Sequence, residues 1–508
     1  MNRVLLPAVL TAAALAVPVS PAVADAPPRQ IADFDGDGYG DLAIGAPGYR
    51  TWRGAVVVLY GSGTGLRTGG AQLWTVDTSG VNGGSPGPER FGAAVAAGDF
   101  DGDGYDDLAI GAPSEDGEQG AVHILFGSAS GLSAARDQRW HADVYGVPRT
   151  RDKWQRFGAA LATGDTNGDG RADLAIGGPG GGPSGEQVPG VVWVLESTPN
   201  GLDATRSFAD AYQDPTGQYG SALAMGDFSG DGADDLAIGA PGQPVRRAQR
   251  DYLRAGRVWI VDGDVGRGLV GDVAVTQDTP NAPGIAEAND AFGSAVAAGD
   301  VTGDGRDDLL VGIPYERVGG KLGSGAVQVM RGSGAGITGH GQLWHQDVSG
   351  VPGTAGHGNF GTAVAVGDFD GDGRADAAVG APYGSSRDGA PFRTGTVTVL
   401  RGASAGLTTT GVRVWHQDTP GVPGAAEDGD RFGTVLATGD FDRNRRADLA
   451  VGAPFEDVGP SFFQGSVTVL YARSGGLATS GAQQWHQDVA GVPGDGTADD
   501  YFGSSLAG

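Results

Sequence analysis

The stretch "DFDGDGYDD", Asp99 to Asp107, carries carboxylates at positions 1, 3, 5 and 9 and glycines at positions 4 and 6. A hard cation such as Ca²⁺ takes about six to eight oxygen ligands, and a tightly curled loop with this spacing brings them to one point. Glycine at position 6 permits the sharp turn, and position 7 can add its backbone carbonyl. Without an ion, carboxylates so crowded would repel one another. An EF-hand would continue to a glutamate at position 12 and enter a helix. Here position 9 opens the apolar run "DLAIGAP" instead, so the expectation is a β-loop-β calcium site. Plain acidic solvent loops are the alternative, and the repetition of the ligand spacing argues against them.

The phrase recurs seven times, starting at Asp33, Asp99, Asp165, Asp227, Asp300, Asp368 and Asp440. In the first copy the expected ligands are Asp33, Asp35, Asp37, Asp41 and the Tyr39 carbonyl; in the second, Asp99, Asp101, Asp103, Asp107 and the Tyr105 carbonyl. The third offers Asp165, Asn167, Asp169, Asp173 and the carbonyl of Arg171. The fourth offers Asp227, Ser229, Asp231, Ala233 and Asp235, and the fifth Asp300, Thr302, Asp304, Arg306 and Asp308. Hydroxyls at position 3 remove a charged ligand and should weaken those two sites. The sixth, Asp368, Asp370, Asp372, Arg374 and Asp376, is as acidic as the first. The seventh keeps Asp440, Asp442, Asn444, Arg446 and Asp448, but Arg443 and Arg445 replace both glycines. Arg445 stands where a positive φ is expected, and two guanidinium charges compete with a dication. Six calcium ions are therefore expected, and the seventh site is expected to be weak or empty.

The elements that hold these loops follow from the rest of the repeat. Each loop runs into a strand such as "DLAIGAP", then a variable insert, then a β-branched run such as "GAVHILFGS". A further segment, often "WHQD", leads to an aromatic-Gly pair and the next loop. Each unit thus holds about four short strands divided by Gly, Pro and Asp turns, without helical periodicity. Four-stranded units repeated radially make a β-propeller, and seven blades fall within the usual range. A linear solenoid would need atypical capping units at its ends.

The first unit, "QIADFDGDG", lacks the aromatic-Gly segment that precedes every later loop, whereas the chain ends on one, "YFGSSLAG". Phe91 lies eight residues before Asp99; by the same count, Gly508 corresponds to Ala97 and to Ile31. The C-terminal segment is thus expected to supply the strand that the first blade lacks. Closure would satisfy backbone groups that an open edge leaves unpaired.

Residues 1–24 have a basic start at Arg3, an apolar run from Val4 to Val19, and small residues at Ala22 and Ala24. That is the layout of a secretory signal peptide, followed by a short segment 25–29 and the propeller, 30–508. No later segment is apolar enough to span a bilayer, so a released extracellular protein, expected to be a monomer, is the consequence. The chain has no cysteine, which leaves packing and metal as the staples for an exported fold. Its net charge of −27 disfavours nucleic acid as a partner and favours bound cations.

The "FG" pair, "DFDGDGYDDLAIGAP" and the following "AVHILFGS" resemble the FG-GAP repeat of integrin α-subunits and of the propeller in glycosylphosphatidylinositol-specific phospholipase D. The resemblance covers Gln30 to Gly508, with "GGP" at Gly177 and "GIP" at Gly312 as mild departures. It implies calcium loops on one face and ligand binding on the opposite face. That face would carry the inserts after "GAP", such as "GQPVRRAQRDYLRAG" from Gly242. It implies no catalysis, because the phospholipase keeps its catalytic part in a separate domain.

Other motifs are read as structural. His345, His416 and His486 repeat in "WHQD" on different blades, so they cannot readily meet at one ion. Trp74, Trp140, Trp344, Trp415 and Trp485 are expected to pack at blade edges rather than stack on sugars. "GASAG" at Gly402–Gly406 fits a serine-hydrolase elbow, but equivalent blades carry "GSGTG" and "GSASG", which marks a hairpin. The expected function is a secreted, calcium-stabilised binding or adhesion module for extracellular protein or glycan. The alternative is an extracellular hydrolase or polysaccharide lyase acting on the loop face.

Overall fold

The computed structural model describes residues 32–508 apart from 85–86, 145–152, 183–187, 213, 354 and 386–392. The signal-peptide reading therefore falls outside the described residues. Seven four-stranded antiparallel sheets are arranged as blades of a propeller. Their innermost strands, Ser505–Ala507, Ala94–Gly98, Ala160–Gly164, Ala222–Gly226, Ala295–Gly299, Ala363–Gly367 and Val435–Gly439, touch in that order and return to the first. Blade 1 is built from both ends of the described chain. Ser505–Ala507 pairs antiparallel with Leu42–Ala46, in the register Ala43↔Ala507, Ile44↔Leu506 and Gly45↔Ser505. The closure expected from the eight-residue count is present.

Burial peaks on the second and third strands of each blade and falls on the innermost and outermost ones, and the sequence shows why. The second strand, as in Asp107–Ala112, is buried throughout, because it lies between two sheets and inside a third strand. Such strands read as continuous apolar runs instead of alternating ones. The fourth strand, as in Arg67–Trp74, alternates toward solvent and ends on a buried tryptophan. Trp74, Trp140, Trp344, Trp415 and Trp485 are 5–9% exposed, so all five pack rather than present open faces.

The FG and GAP fragments are explained by one close approach. The GAP glycine of each blade lies against the backbone of the next blade's FG glycine. A Cβ on Gly45, Gly111, Gly177, Gly239, Gly312, Gly380 or Gly452 would sit 2.0–2.3 Å from that neighbour's carbonyl oxygen. The preceding aromatic, Phe91, Phe157, Tyr219, Phe292, Phe360, Phe432 or Phe502, is fully or nearly fully buried. The seam uses the same lock: Gly503 N donates to Gly45 O at 2.9 Å, and the Gly503 carbonyl meets Gly452.

Strand order also fixes the two faces. The aspartate loops join the first strand to the second, and the "GSG"-type hairpins join the third to the fourth, so both lie at one end. The inserts after GAP and the connections to the next FG lie at the other. Two tight turns that run through left-handed residues, Tyr49–Trp52 and Glu115–Glu118, belong to those inserts.

Candidate metal centres

Each aspartate loop curls around its own first residue. In blade 2, Asp99 Oδ1 accepts from the backbone N–H of Gly102 at 2.7 Å and of Asp103 at 3.2 Å, and Oδ2 accepts from Gly104 at 2.9 Å. Asp368 receives the same three bonds from Gly371, Asp372 and Gly373. Asp33, Asp165, Asp227 and Asp300 are bonded alike by their own loops. The glycines at positions 4 and 6 take positive φ throughout, for example +75° at Gly102 and +92° at Gly104.

Three carboxylates converge in four blades. Ligand atoms of Asp33, Asp35 and Asp37, of Asp99, Asp101 and Asp107, of Asp368, Asp370 and Asp376, and of Asp440, Asp442 and Asp448 each lie within 4.8 Å of one another. This all-oxygen donor set fits calcium. In blades 4 and 5 the position-3 hydroxyls turn onto the first aspartate: Ser229 Oγ donates to Asp227 at 3.4 Å and Thr302 Oγ1 to Asp300 at 3.2 Å. In blade 3, Asn167 is buried at the same place. The seventh loop forms its cluster despite its arginines, which adopt the glycine conformation at φ +57° for Arg443 and +66° for Arg445. Arg443 reaches across the seam to the Asp37 carbonyl at 2.9 Å.

The position-9 aspartates have a second task that spacing alone did not reveal. Asp107 Oδ2 accepts from Phe100 N at 2.9 Å and Oδ1 from Gly127 N at 2.8 Å, tying the loop to the end of the third strand. Asp41, Asp173, Asp235, Asp308, Asp376 and Asp448 make the same two backbone bonds. Burial pushes Asp41, Asp107 and Asp448 up to about 8, Asp235 and Asp376 to about 7, and Asp308 to about 6. A dication beside them would favour the ionised form.

Position 8 was also missed. Asp106, Asp234 and Asp307 accept from the first residue of the preceding loop, at Asp33 N (2.9 Å), Asp165 N (2.8 Å) and Asp227 N (3.2 Å). They staple neighbouring blades. Position-7 side chains do likewise: Tyr105, Arg171, Arg306, Arg374 and Arg446 lie over the position-4 glycine of the preceding blade. Arginines also sit on the position-3 carboxylates wherever these are aspartate. Arg136 meets Asp101 at 2.9 Å, Arg401 meets Asp370 at 2.8 Å, Arg473 meets Asp442 at 2.7 Å and Arg67 meets Asp35 at 3.5 Å.

His345, His416 and His486 stand on separate blades, as their spacing implied, and burial lowers the pKa of His345 and His486. Ser404 of "GASAG" lies in the hairpin between strands Thr396–Arg401 and Thr408–Trp415.

Comparison with known proteins agrees with this architecture. The FG-GAP repeat model matches residues 30–59, 91–125, 157–195, 219–261, 292–330, 360–400 and 432–470, more than half of the chain. Bovine (Bos taurus) phosphatidylinositol-glycan-specific phospholipase D is 39% identical over 170 residues, which are 32% of this chain and 19% of that protein. Integrin alpha-PS2 of Drosophila melanogaster is 35% identical over 227 residues, 41% of this chain and 14% of that one. The chain thus spans 14–19% of the length of these two curated relatives. Among solved structures, the exotype rhamnogalacturonan lyase YesX superposes loosely, with a TM-score of 0.37 and 16% identity over 85% of this chain and 64% of that one. One glycine lock and one aspartate loop, repeated in all seven blades, are what the matched segments share, and the chain belongs to the FG-GAP repeat family.

Proposed function

We propose that this protein is an exported, calcium-stabilised propeller that serves as a binding module for extracellular protein or glycan. The observation that carries the reading is the division of labour between its faces. One face repeats a single carboxylate loop, tied to the next blade and pre-curled by its own first aspartate. The other carries inserts that differ from blade to blade on a rigid ring, which is where recognition usually resides. The ligands are those read from the sequence: Asp33 to Asp41, Asp99 to Asp107, and their counterparts through Asp376, with Asp440 to Asp448 as the weakest. Bound ions would offset the repulsion within each loop and cross-link a chain without cysteines. The residue 1–24 leader and the integrin-like relatives support an extracellular setting, where calcium is abundant.

The test is thermal melting of the full chain in calcium and after chelation with EDTA, with calcium counted by titration. Chelation should lower the melting temperature, and about six ions should bind. A melting temperature that EDTA leaves in place sinks the calcium reading.

A further inference from the structure

On the face opposite the aspartate loops, the residue before each FG pair is held in the left-handed region although none is glycine. The seven are Arg90, Arg156, Gln218, Ala291, Asn359, Arg431 and Tyr501, with φ between +53° and +59°. In six blades its N–H donates to a second left-handed residue at the end of the preceding insert. The six acceptors are the carbonyls of Trp52, Glu118, Arg254, Gly323, Arg393 and Phe463, at 2.9–3.1 Å. Such conformations are strained in a non-glycine residue and cluster at ligand-binding positions. Where both members carry a long side chain, the pairs differ in chemistry. Glu118 meets Arg156 at 3.5 Å, whereas Trp52 carries Arg90 over its ring at 5.1 Å.

Across blades 6, 7 and 1 these pairs join into one continuous ribbon. Arg393 and Arg431 lie over the Tyr383 ring at 5.4 and 5.0 Å, and Arg431 also lies over Phe455 at 4.0 Å. Phe455 meets Tyr501 at 5.5 Å, Phe463 stacks on Tyr501 at 6.2 Å, and Tyr501 meets Trp52 at 5.3 Å. The ribbon is open: Phe463 is 40% exposed, and Arg90 and Arg393 lie in solvent. Alongside it runs a cleft of about 390 Å³, whose lining includes Arg50, Trp52, Asp495, Thr497 and Asp499.

We propose that this ribbon binds a polysaccharide chain bearing uronate carboxylates. Aromatic faces carry negative quadrupole potential and pack against the C–H faces of sugar rings, while guanidinium forks hold carboxylates through paired hydrogen bonds. Along the ribbon, arginines recur at both ends and between the rings, which matches an extended chain with anionic groups at intervals. The cleft adds carboxylate and hydroxyl acceptors suited to sugar hydroxyls. A folded protein partner fits less well, because it needs a broad patch with an apolar centre, and here guanidiniums interrupt a narrow line. The inference rests on the binding-module reading and gives its opposite face a ligand class.

The experiment uses the full chain in calcium against immobilised hyaluronan, oligogalacturonate and oligomannuronate too short to gel, with dextran as the neutral probe. At least one uronate chain should be retained and dextran should not. Trp52→Ala, Arg431→Gln and the exposed Arg90→Gln should each weaken retention about tenfold, a change of about 1.4 kcal/mol. Arg254→Ala, at the equivalent place on blade 4, should leave retention unchanged, and melting curves verify that each variant folds. Four outcomes overturn the inference: no retention by any uronate chain, equal retention of dextran, equal effects of Arg254→Ala and the ribbon changes, or a protein ligand held by these residues in place of glycan. A chain that melts in a calcium-dependent manner yet retains no uronate loses this inference and keeps the calcium-stabilised scaffold.

Discussion

Gly111→Ala isolates the lock between blades. Gly111 lies in the strand Asp107–Ala112 with no positive φ, so alanine suits its backbone and should by itself stabilise by about 0.5–1 kcal/mol. The added Cβ would stand 2.0 Å from the Gly158 carbonyl oxygen of the next blade, where ordinary contact begins near 3.4 Å. Backbone faces backbone here, so relief requires moving two blades apart by more than an ångström. Overpacking of this kind typically costs about 1–3 kcal/mol, and the rigidity of the ring argues for the upper end. Gly69→Ala is the control: its Cβ meets nothing within 4 Å on an exposed fourth strand, and only the favourable backbone effect remains. Differential scanning calorimetry of both variants, in calcium and in EDTA, should show Gly111→Ala melting several degrees below wild type in both buffers. Gly69→Ala should melt at or slightly above wild type. If the two variants melt together, the close approach does not set the fit between blades, and the explanation of the FG and GAP fragments is wrong.

Two more outcomes follow from the site and its opposite face. Arg445 holds φ +66° at a turn where the other six loops have glycine, so Arg445→Gly should stabilise by about 1 kcal/mol and add calcium uptake at the seventh loop; an unchanged or lower melting temperature, or no added ion by titration, counts against it. Burial raises Glu456 to about 8 and Glu316 to about 7 from an ordinary 4.5, beside Asp430 at about 7 and Asp290 at about 6. A raised carboxyl keeps its proton longer when folded, so its contribution is complete below about pH 4.5 and fades as pH rises through 7–8. Melting temperature in saturating calcium should therefore fall between about pH 5 and 8, and the double change Glu316→Gln with Glu456→Gln should flatten that slope; equal slopes for the two proteins would refute the assignment.

The ring, its closure and the aspartate loops were legible because they depend on fixed counts along the chain. Eight residues from Phe91 to Asp99 suffice to align Phe502 with the missing strand, and nine positions define each loop. What escaped notice depends on residues far apart in sequence. Asp107 is recognisable as an oxygen ligand, but its bond to Gly127 N appears only once the third strand is laid beside the second. Arg136 on Asp101 and Asp106 on Asp33 need the hairpin and the neighbouring blade in place. The left-handed ring had no compositional signal at all: Arg90, Gln218, Ala291 and Tyr501 are not residues that mark positive φ. The Tyr501–Trp52 contact crosses the seam, so no local window contains both rings.

The seam also imposes an order on assembly. Blades 2 to 7 each consist of consecutive strands and can form one after another as the chain emerges during synthesis. Blade 1 cannot, since it waits for Ser505, whose hydroxyl bonds the Gly92 carbonyl 413 residues upstream. Until then the strand Leu42–Ala46 keeps one edge bare, the kind of edge that recruits foreign strands. Such long-range pairing is intrinsically slow, so the newborn molecule passes through a six-bladed arc with a sticky end before it becomes a ring.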